Sequence, residues 1–196
     1  MTETPWQAVA LRCYRSEGRH YHTEHHIRAM LSLFAPVRHE AHDAQALEAA
    51  IWFHDAVYDP TADDNEARSA ALARAQLVLA AWPIDRVERV CTLIEYTATH
   101  DIPPGDVDAA LLMDLDLSIL GAPPAMYDAY TTQIRAEYAH VPDPAFKAGR
   151  LGFIRHMQAR PHIYQTHTFR ARFETRARAN LAREARTLGE PGAAGA

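Results

Sequence analysis

The segment LEAAIWFHDAVY, residues 47–58, combines a clear helical pattern with an unusual polar pair. Leu47 and Ile51 recur at the spacing of an amphipathic helix with a wide buried stripe, and we expect this helix to continue through His54 and Asp55. Both side chains then project from the buried face or close to it, where an imidazole and a carboxylate need a partner. A divalent metal pairs with both at once, whereas a His–Asp hydrogen bond at a helix end is the simpler interpretation. The segment by itself leaves both interpretations open.

The composition of the 196-residue chain favours helices over strands. Alanine, the strongest helix former, occurs 37 times, whereas the β-branched residues valine and isoleucine occur 8 and 9 times. Apolar residues at helical spacing predict eight to nine helices, so the expected fold is an all-α bundle. The length fits a single domain over residues 1–188, and the Gly- and Ala-rich residues 189–196 are predicted to form a disordered tail.

Cysteine content, hydropathy and net charge exclude several classes of protein. The two cysteines, Cys13 and Cys91, suggest neither a disulfide framework nor a cysteine zinc site. Because no apolar run approaches the roughly 20 residues that span a membrane and no signal peptide begins the chain, we expect a soluble cytoplasmic protein without a membrane partner. A net charge of −5 does not indicate nucleic-acid binding. The sequence leaves open whether the chain forms a homodimer.

A second polar group lies in the histidine-rich segment RHYHTEHHI, residues 19–27. His22 and His26 are four residues apart and share one face of the predicted helix, and His26 precedes the apolar Met30 by four. His25 points away from that face and is expected to be solvated. Two histidines at this spacing are a known metal-binding geometry, although the signal is weak without further ligands.

A third polar group lies in the segment VDAALLMDLDLSIL, residues 107–120, which is nearly all apolar and therefore predicted to be nearly all buried. It contains two carboxylates, Asp114 and Asp116, which lie about 200° apart around a helix. Because both cannot easily face solvent, we expect at least one of them to bind a metal. The pattern alone does not distinguish them.

Together, these segments place His26, His54, Asp55 and one of Asp114 or Asp116 on buried faces of three helices. Helical bundles build metal sites in this way, with ligands that project inward from facing helices. Two imidazoles and two carboxylates suit one divalent ion among Mn²⁺, Fe²⁺, Co²⁺, Ni²⁺, Mg²⁺ and Zn²⁺, and they leave positions open for water and substrate.

The ordered set His … His-Asp … Asp on an all-helical chain resembles the HD superfamily of metal-dependent phosphohydrolases. Several blocks of the chain resemble one bacterial branch of it, the small proteins described as predicted metal-dependent phosphohydrolases of that superfamily. The similarity covers about residues 10–185. It is carried by RHYH at 19–22 with His26-Ile27, WFHDAVY at 52–58, DNE at 64–66 with Ser69-Ala70, DLDLSILG at 114–121, and Phe146 with Gly149-Arg150.

The resemblance implies an HD-type helical domain in which His26, His54, Asp55 and Asp116 bind the metal. It favours Asp116 over Asp114 because residues 115–117 match the Ala-Asp-x-Leu context of the superfamily in phase, although Leu115 stands where the superfamily has a small residue. Members with two metals have additional histidines between the His-Asp dyad, here His54-Asp55, and the last aspartate. Here only His100 lies in that interval, which argues for one metal, with His100 contacting the substrate or supporting a ligand.

The expected activity is metal-dependent hydrolysis of a small phosphorylated molecule, with a nucleotide as the leading candidate. A divalent metal lowers the pKa of water to near neutrality and neutralises charge on a phosphoryl oxygen. Asp55 or Glu66 could accept a proton or orient the water, and His22 could protonate the leaving oxygen. Glu66 also fits a capping box with Asp63 at the start of a helix. The residues predicted to contact substrate are Arg19, His100, Asp114, Lys147 and Arg150.

Two other functions remain open from the sequence. Metal ligands do not prove turnover, so the chain could be a metal-stabilised ligand-binding or regulatory module. Some HD-fold proteins are two-iron oxygenases, which need six protein ligands, and this chain has one histidine too few in the expected interval.

Overall fold

The computed structural model describes residues 3–189, and this part of the chain consists of helices without strands. Nine α-helices occur within it, which confirms the predicted all-α class with eight to nine helices. Three short 3-10 helices lie at Arg38–Glu40, Tyr96–Ala98 and Leu117–Gly121. The α-helices are α1 (Pro5–Cys13), α2 (Glu24–Val37), α3 (Ala44–Phe53), α4 (Asn65–Leu79), α5 (Ile84–Glu95), α6 (Val107–Asp116), α7 (Pro124–Glu137), α8 (Asp143–Ala159) and α9 (His167–Thr187).

One helix end differs from the sequence prediction in a way that matters for the site. We expected the third helix to continue through His54 and Asp55, but α3 ends at Phe53, with His54 as its C-cap. The Asp55 N–H donates to the hydroxyl of Tyr14 at 3.2 Å, so it does not make the hydrogen bond of a regular helix. The Ala56 N–H donates to the carbonyl of Phe53, three residues earlier, and so forms a turn. The dyad therefore lies at a helix end and not inside a helix.

The start of α4 also differs from the expectation. The helix begins at Asn65 with Asp64 as its N-cap, so Asp63 does not form the predicted capping box with Glu66. The side chain of Asn65 instead exchanges two hydrogen bonds with the backbone of Asp59, both at 2.9 Å. This exchange closes the loop before the helix and moves the helix start by one residue.

By the contacts among its residues, the chain divides into two compact units, Met1–Asp116 and Leu117–Ala196. The prediction of a single domain over residues 1–188 stays a prediction. The predicted tail at 189–196 lies outside the described residues except for Gly189.

In the first unit, α3 is the central element and packs against α1, α2, α4, α5 and α6. Asp43 caps its N-terminus by accepting hydrogen bonds from two backbone N–H groups of the first turn. Every side chain in 49–53 is buried, and the alanines among them allow neighbouring helices to approach closely. Because α3 is buried almost all round, the polar residues at its C-terminal end are held inside the unit.

In the second unit, the 3-10 helix Leu117–Gly121 packs against α7 and α9. Asn180 of α9 donates from its side-chain amide to the carbonyls of Leu120 and Ala122, at 2.8 and 2.9 Å. Gly121 lies so close to α9 that a Cβ atom there would be 2.6 Å from the Cβ of Phe173. Only glycine fits this contact without a shift of the backbone.

Among residues 3–189, no single helix combines the length and the apolar composition needed to cross a membrane. In the same part of the chain, one pair of helices joined by a sharp bend, Val107–Gly121 and Pro124–Glu137, meets those criteria when taken together.

Candidate metal centre

Four side chains from three helices converge at one point of the first unit. His26 comes from the first turn of α2, His54 and Asp55 from the C-terminal end of α3, and Asp116 is the last residue of α6. One nitrogen or oxygen of each side chain lies within 4.8 Å of the corresponding atom of every other. This group can hold a metal ion, and it contains Asp116 but not Asp114.

The distances within the group are those of donors that face a common centre. His54 Nε2 lies 3.0 Å from Asp55 Oδ2, 3.3 Å from His26 Nε2 and 3.7 Å from Asp116 Oδ1. His26 Nε2 lies 3.2 Å from Asp116 Oδ1 and 3.8 Å from Asp55 Oδ2. Both imidazoles are buried, whereas the side chains of Asp55 and Asp116 are 17% and 19% exposed. The carboxylates therefore provide the solvent-facing part of the group.

The helix end determines which nitrogen of His54 faces the group. Its Nδ1 lies 3.0 Å from the carbonyl oxygen of Ile51, one of the last carbonyls of α3. Because a carbonyl only accepts hydrogen bonds, Nδ1 carries a proton, and Nε2 is the nitrogen that faces the other three side chains. Metal-binding histidines are commonly oriented by such a hydrogen bond on their second nitrogen.

The two imidazoles have opposite pKa shifts. Burial lowers the pKa of His54, but the carboxylates of Asp55 and Asp116 outweigh it and raise that pKa well above its usual value. Burial lowers the pKa of His26, and its hydrogen bond with Asp116 compensates only in part. The surroundings of the group therefore disfavour the charged form of His26 and favour the charged form of His54.

Both carboxylates are held in the anionic form. Burial raises the pKa of Asp55, but the imidazoles of His54 and His22 outweigh it, and the net shift is downward. Burial likewise raises the pKa of Asp116, whereas hydrogen bonds with histidines, first among them His100, lower it well below its usual range. Two anionic oxygens and two imidazole nitrogens in a largely buried group are a donor set for a divalent transition metal or Mg²⁺, so the residues fit the predicted ion.

His22 and His100, both predicted to act at the site, lie beside the four donors. His22 Nε2 is 4.0 Å from Asp55 Oδ2, and its ring stacks on Tyr58 with 4.2 Å between the ring centroids. His100 Nε2 is 3.3 Å from Asp116 Oδ2. His100 also has a φ of 57°, in the left-handed region that non-glycine residues rarely adopt. The residue next to the Asp116 carboxylate thus has an uncommon backbone conformation.

Three other predicted residues of the first unit have different surroundings. Arg19 donates to backbone carbonyls next to the group, including that of Asp55 at 2.8 Å. Glu66 is half-buried in the first turn of α4 and does not belong to the four-donor group. Asp114 is fully buried on α6 and is likewise outside that group. The roles of these residues at the substrate stay predictions.

Lys147 and Arg150 belong to the second unit, on α8. Lys147 is exposed, whereas Arg150 is buried and donates from Nε and Nη2 to Glu184 at 2.7 and 3.1 Å. A third donor of Arg150, Nη1, bonds the hydroxyl of Tyr130 at 3.1 Å. The contact of either residue with a phosphate stays a prediction.

Sequence reasoning missed the tyrosines around the site. The Tyr14 hydroxyl accepts the Asp55 N–H, and the ring of Tyr21 lies 4.8 Å from that of His26. Tyr21 and Tyr58 are within the sequence blocks that contain the candidate ligands, and this proximity was the signal that could have identified them. Tyr14 had no such signal, because it lies on the turn after α1, 41 residues before Asp55.

Comparisons of the chain with protein-family models, with curated proteins and with solved structures find no match in any of the three. The relation to the HD superfamily therefore stays a hypothesis that rests on the residues quoted above.

Proposed function

We propose that this chain is a metal-dependent phosphohydrolase of the HD type that acts on a small phosphorylated molecule, with a nucleotide as the leading candidate. The observation that supports it most is the convergence of His26, His54, Asp55 and Asp116 within 4.8 Å, in the order His … His-Asp … Asp along the chain. A hydrolytic metal site needs such a donor set together with open positions for water and substrate.

His26, His54, Asp55 and Asp116 would hold one divalent ion. When bound, such an ion supplies a Lewis acid for a phosphoryl oxygen and lowers the pKa of water. The two carboxylates among these residues would balance the charge of a divalent ion. The solvent-facing carboxylates mark the part of the site that a substrate would approach.

The neighbouring side chains would hold and move protons. His22 lies 4.0 Å from Asp55 Oδ2, and an imidazole at that place can hold a proton for a leaving oxygen. Asp55 is a weak base, because the nearby histidines lower its pKa. It is therefore suited to orient a water molecule, while Glu66 remains the candidate that could accept a proton.

The test measures the metal content of two site variants and a matched control, and the activity of the wild-type protein. The purified wild-type protein should retain about one transition metal per chain by elemental analysis, and His54→Ala and Asp55→Ala should remove it. His25→Ala is the matched control, because His25 adjoins His26 on α2 but is exposed. Metal-free wild-type protein, reloaded with each divalent ion, should then release phosphate or cleave a phosphodiester in a panel of nucleotides and phosphoesters.

The alternatives give different results in the same experiment. A wild-type protein without metal, or unchanged metal in both variants, would contradict the site. Metal-loaded protein that is inert on the whole panel would favour a ligand-binding or regulatory module. Oxygen uptake with a two-iron spectrum would favour an oxygenase.

A further inference from the structure

Arg19 lies in the segment between α1 and α2, and its guanidinium group bonds the main chain around the metal centre. Nη1 donates to the carbonyls of His22 and Asp55 at 2.9 and 2.8 Å, and Nη2 donates to the carbonyl of Ala56 at 2.9 Å. Nε donates to the Ser16 hydroxyl at 2.8 Å. All three nitrogens are thus engaged, and they connect segments 36 residues apart.

Two tyrosines extend this arrangement. The guanidinium carbon of Arg19 lies 5.2 Å from the ring centroid of Tyr14 and 5.4 Å from that of Tyr58, within the range of cation–π contacts. Tyr14 accepts the Asp55 N–H, and Tyr58 stacks on the ring of His22. The backbone of Asp55 is therefore held on both sides, its N–H by Tyr14 and its carbonyl by Arg19.

The helix end explains why Asp55 needs such support. Because α3 ends at Phe53, the carbonyls of Asp55 and Ala56 lie beyond the regular helical hydrogen bonds. A planar guanidinium can donate to two successive carbonyls at once, and its charge is favourable at a helix C-terminus. An ammonium group provides the charge but not the fixed fork.

We propose that Arg19 is a positioning residue of the metal centre. Its bonds to the main chain fix the backbone that carries the carboxylate of Asp55 and the imidazole of His22, and so fix the position of one side chain relative to the other. Four of its five N–H donors are used within the protein, so no free pair of donors remains for a phosphate. This role differs from the phosphate contact expected from the sequence. It rests on the proposed function only in that the four donors bind a metal.

The first experiment measures metal affinity without any substrate. Metal-free protein is titrated with Co²⁺ and the visible spectrum recorded, for the wild type, Arg19→Lys and Arg19→Ala. We expect both variants to bind Co²⁺ about 10–100-fold more weakly and with an altered spectrum, the cost typical of losing a group that orients a ligand. A phosphate contact predicts unchanged Co²⁺ affinity, and that result would overturn the proposal.

Arg15 provides the matched control. It lies four residues earlier, and its side chain is 63% exposed and pairs with Glu24. Arg15→Lys and Arg15→Ala should leave the Co²⁺ affinity unchanged. An equal loss in the Arg15 variants would mean that any arginine substitution in this segment weakens the site, and would overturn the specific role. Circular dichroism shows whether each variant is folded at the titration temperature. If Arg19→Ala is unfolded, the comparison rests on Arg19→Lys.

A second readout needs no metal. Hydrogen exchange of the backbone amides at 54–57 in metal-free protein should be faster in Arg19→Lys than in the wild type, and unchanged in Arg15→Lys. Equal exchange rates in the wild type and Arg19→Lys would overturn the proposal. A wild type that binds no metal would refute the proposed function, whereas the exchange rates would still confirm or overturn the support of Asp55 by Arg19.

Discussion

Two aspartates on α6, only two residues apart, have different surroundings. Asp116 Oδ1 lies 3.2 Å from His26 Nε2, and its Oδ2 lies 3.3 Å from His100 Nε2, so each of its carboxylate oxygens faces an imidazole. Asp114 is fully buried and does not belong to the four-donor group. The position of a single carboxylate along this helix therefore determines whether it can bind the metal.

Asparagine substitutions at these two positions should separate their roles. Asn cannot supply an anionic oxygen, so Asp116→Asn should reduce metal affinity by more than the roughly 10–100-fold cost of losing an orienting group. Asp114→Asn should retain metal at saturating concentration while turnover falls. Metal titration and phosphate release measure both effects, and the melting temperature of each variant excludes unfolding. Loss of metal in Asp114→Asn with retention in Asp116→Asn would reverse the assignment.

The helices of the first unit are joined by carboxylates at helix starts. Asp106 precedes α6 and accepts a hydrogen bond from the Ala109 N–H at 3.0 Å, as an N-cap does. Its two oxygens also accept from both Nη atoms of Arg89 on α5, at 2.8 and 2.5 Å. Asp108, buried on the first turn of α6, accepts from the backbone N–H of His42 at 2.7 Å. These hydrogen bonds thus connect the start of α6 with the start of α3 and with the middle of α5.

The Arg89–Asp106 pair should make stability depend on pH. Hydrogen bonds from Arg89 are the main cause that lowers the pKa of Asp106, so its stabilising contribution is present above the unfolded pKa of about 4. As the pH falls through the lower folded pKa, the native carboxylate is protonated and the contribution is lost. Asp106→Asn keeps the cap but loses the charge, and we expect it to lower the free energy of unfolding by about 1 kcal/mol at pH 7.

Urea denaturation of the wild type and Asp106→Asn between pH 7 and pH 3 measures this difference, which should shrink below about pH 4. Asp63→Asn, at an exposed aspartate outside the helices, is the control and should show a smaller effect. A difference that is constant over this range would show that the pair with Arg89 does not contribute through its charge.

All four candidate metal ligands belong to the first unit, since they lie between residues 26 and 116. The second unit has its own core, in which the close contact of Gly121 with α9 is the tightest glycine contact among the described residues. A change that disturbs the packing of this core should therefore affect stability and leave the metal affinity of the folded protein unchanged.

Two glycine substitutions in the second unit test this expectation. In Gly121→Ala the new Cβ would lie 2.8 Å from the backbone oxygen of Phe173, so we expect a loss of about 1–3 kcal/mol in the free energy of unfolding. Gly152→Ala on α8 meets nothing within 4 Å and should stabilise the protein by about 0.5–1 kcal/mol. Urea denaturation and Co²⁺ titration of both variants measure the two quantities. Weaker Co²⁺ binding by folded Gly121→Ala would show that the second unit influences the site.

Much of the fold could be predicted from the sequence, because helices leave a periodic trace in neighbouring residues. The apolar spacing around Leu47 and Ile51 and in the segment 107–120 predicted helices where α3 and α6 lie. The same periodicity placed polar side chains on buried faces, and the structure brings His26 and Asp116 together with the dyad. Helical spacing indicated His26 and the dyad, but it left Asp114 and Asp116 as alternatives, and only the resemblance to the HD superfamily favoured Asp116.

The end of α3 and the surroundings of each ligand could not be predicted in this way. Asp55 leaves the helix because its N–H bonds Tyr14, 41 residues away, and its carbonyl bonds Arg19, 36 residues away. Arg150 was expected to meet a phosphate, but its partner in the fold is Glu184, 34 residues further along the chain. Partners at such separations share no helical period, so these contacts exist only once the helices have packed and brought the side chains within hydrogen-bonding distance.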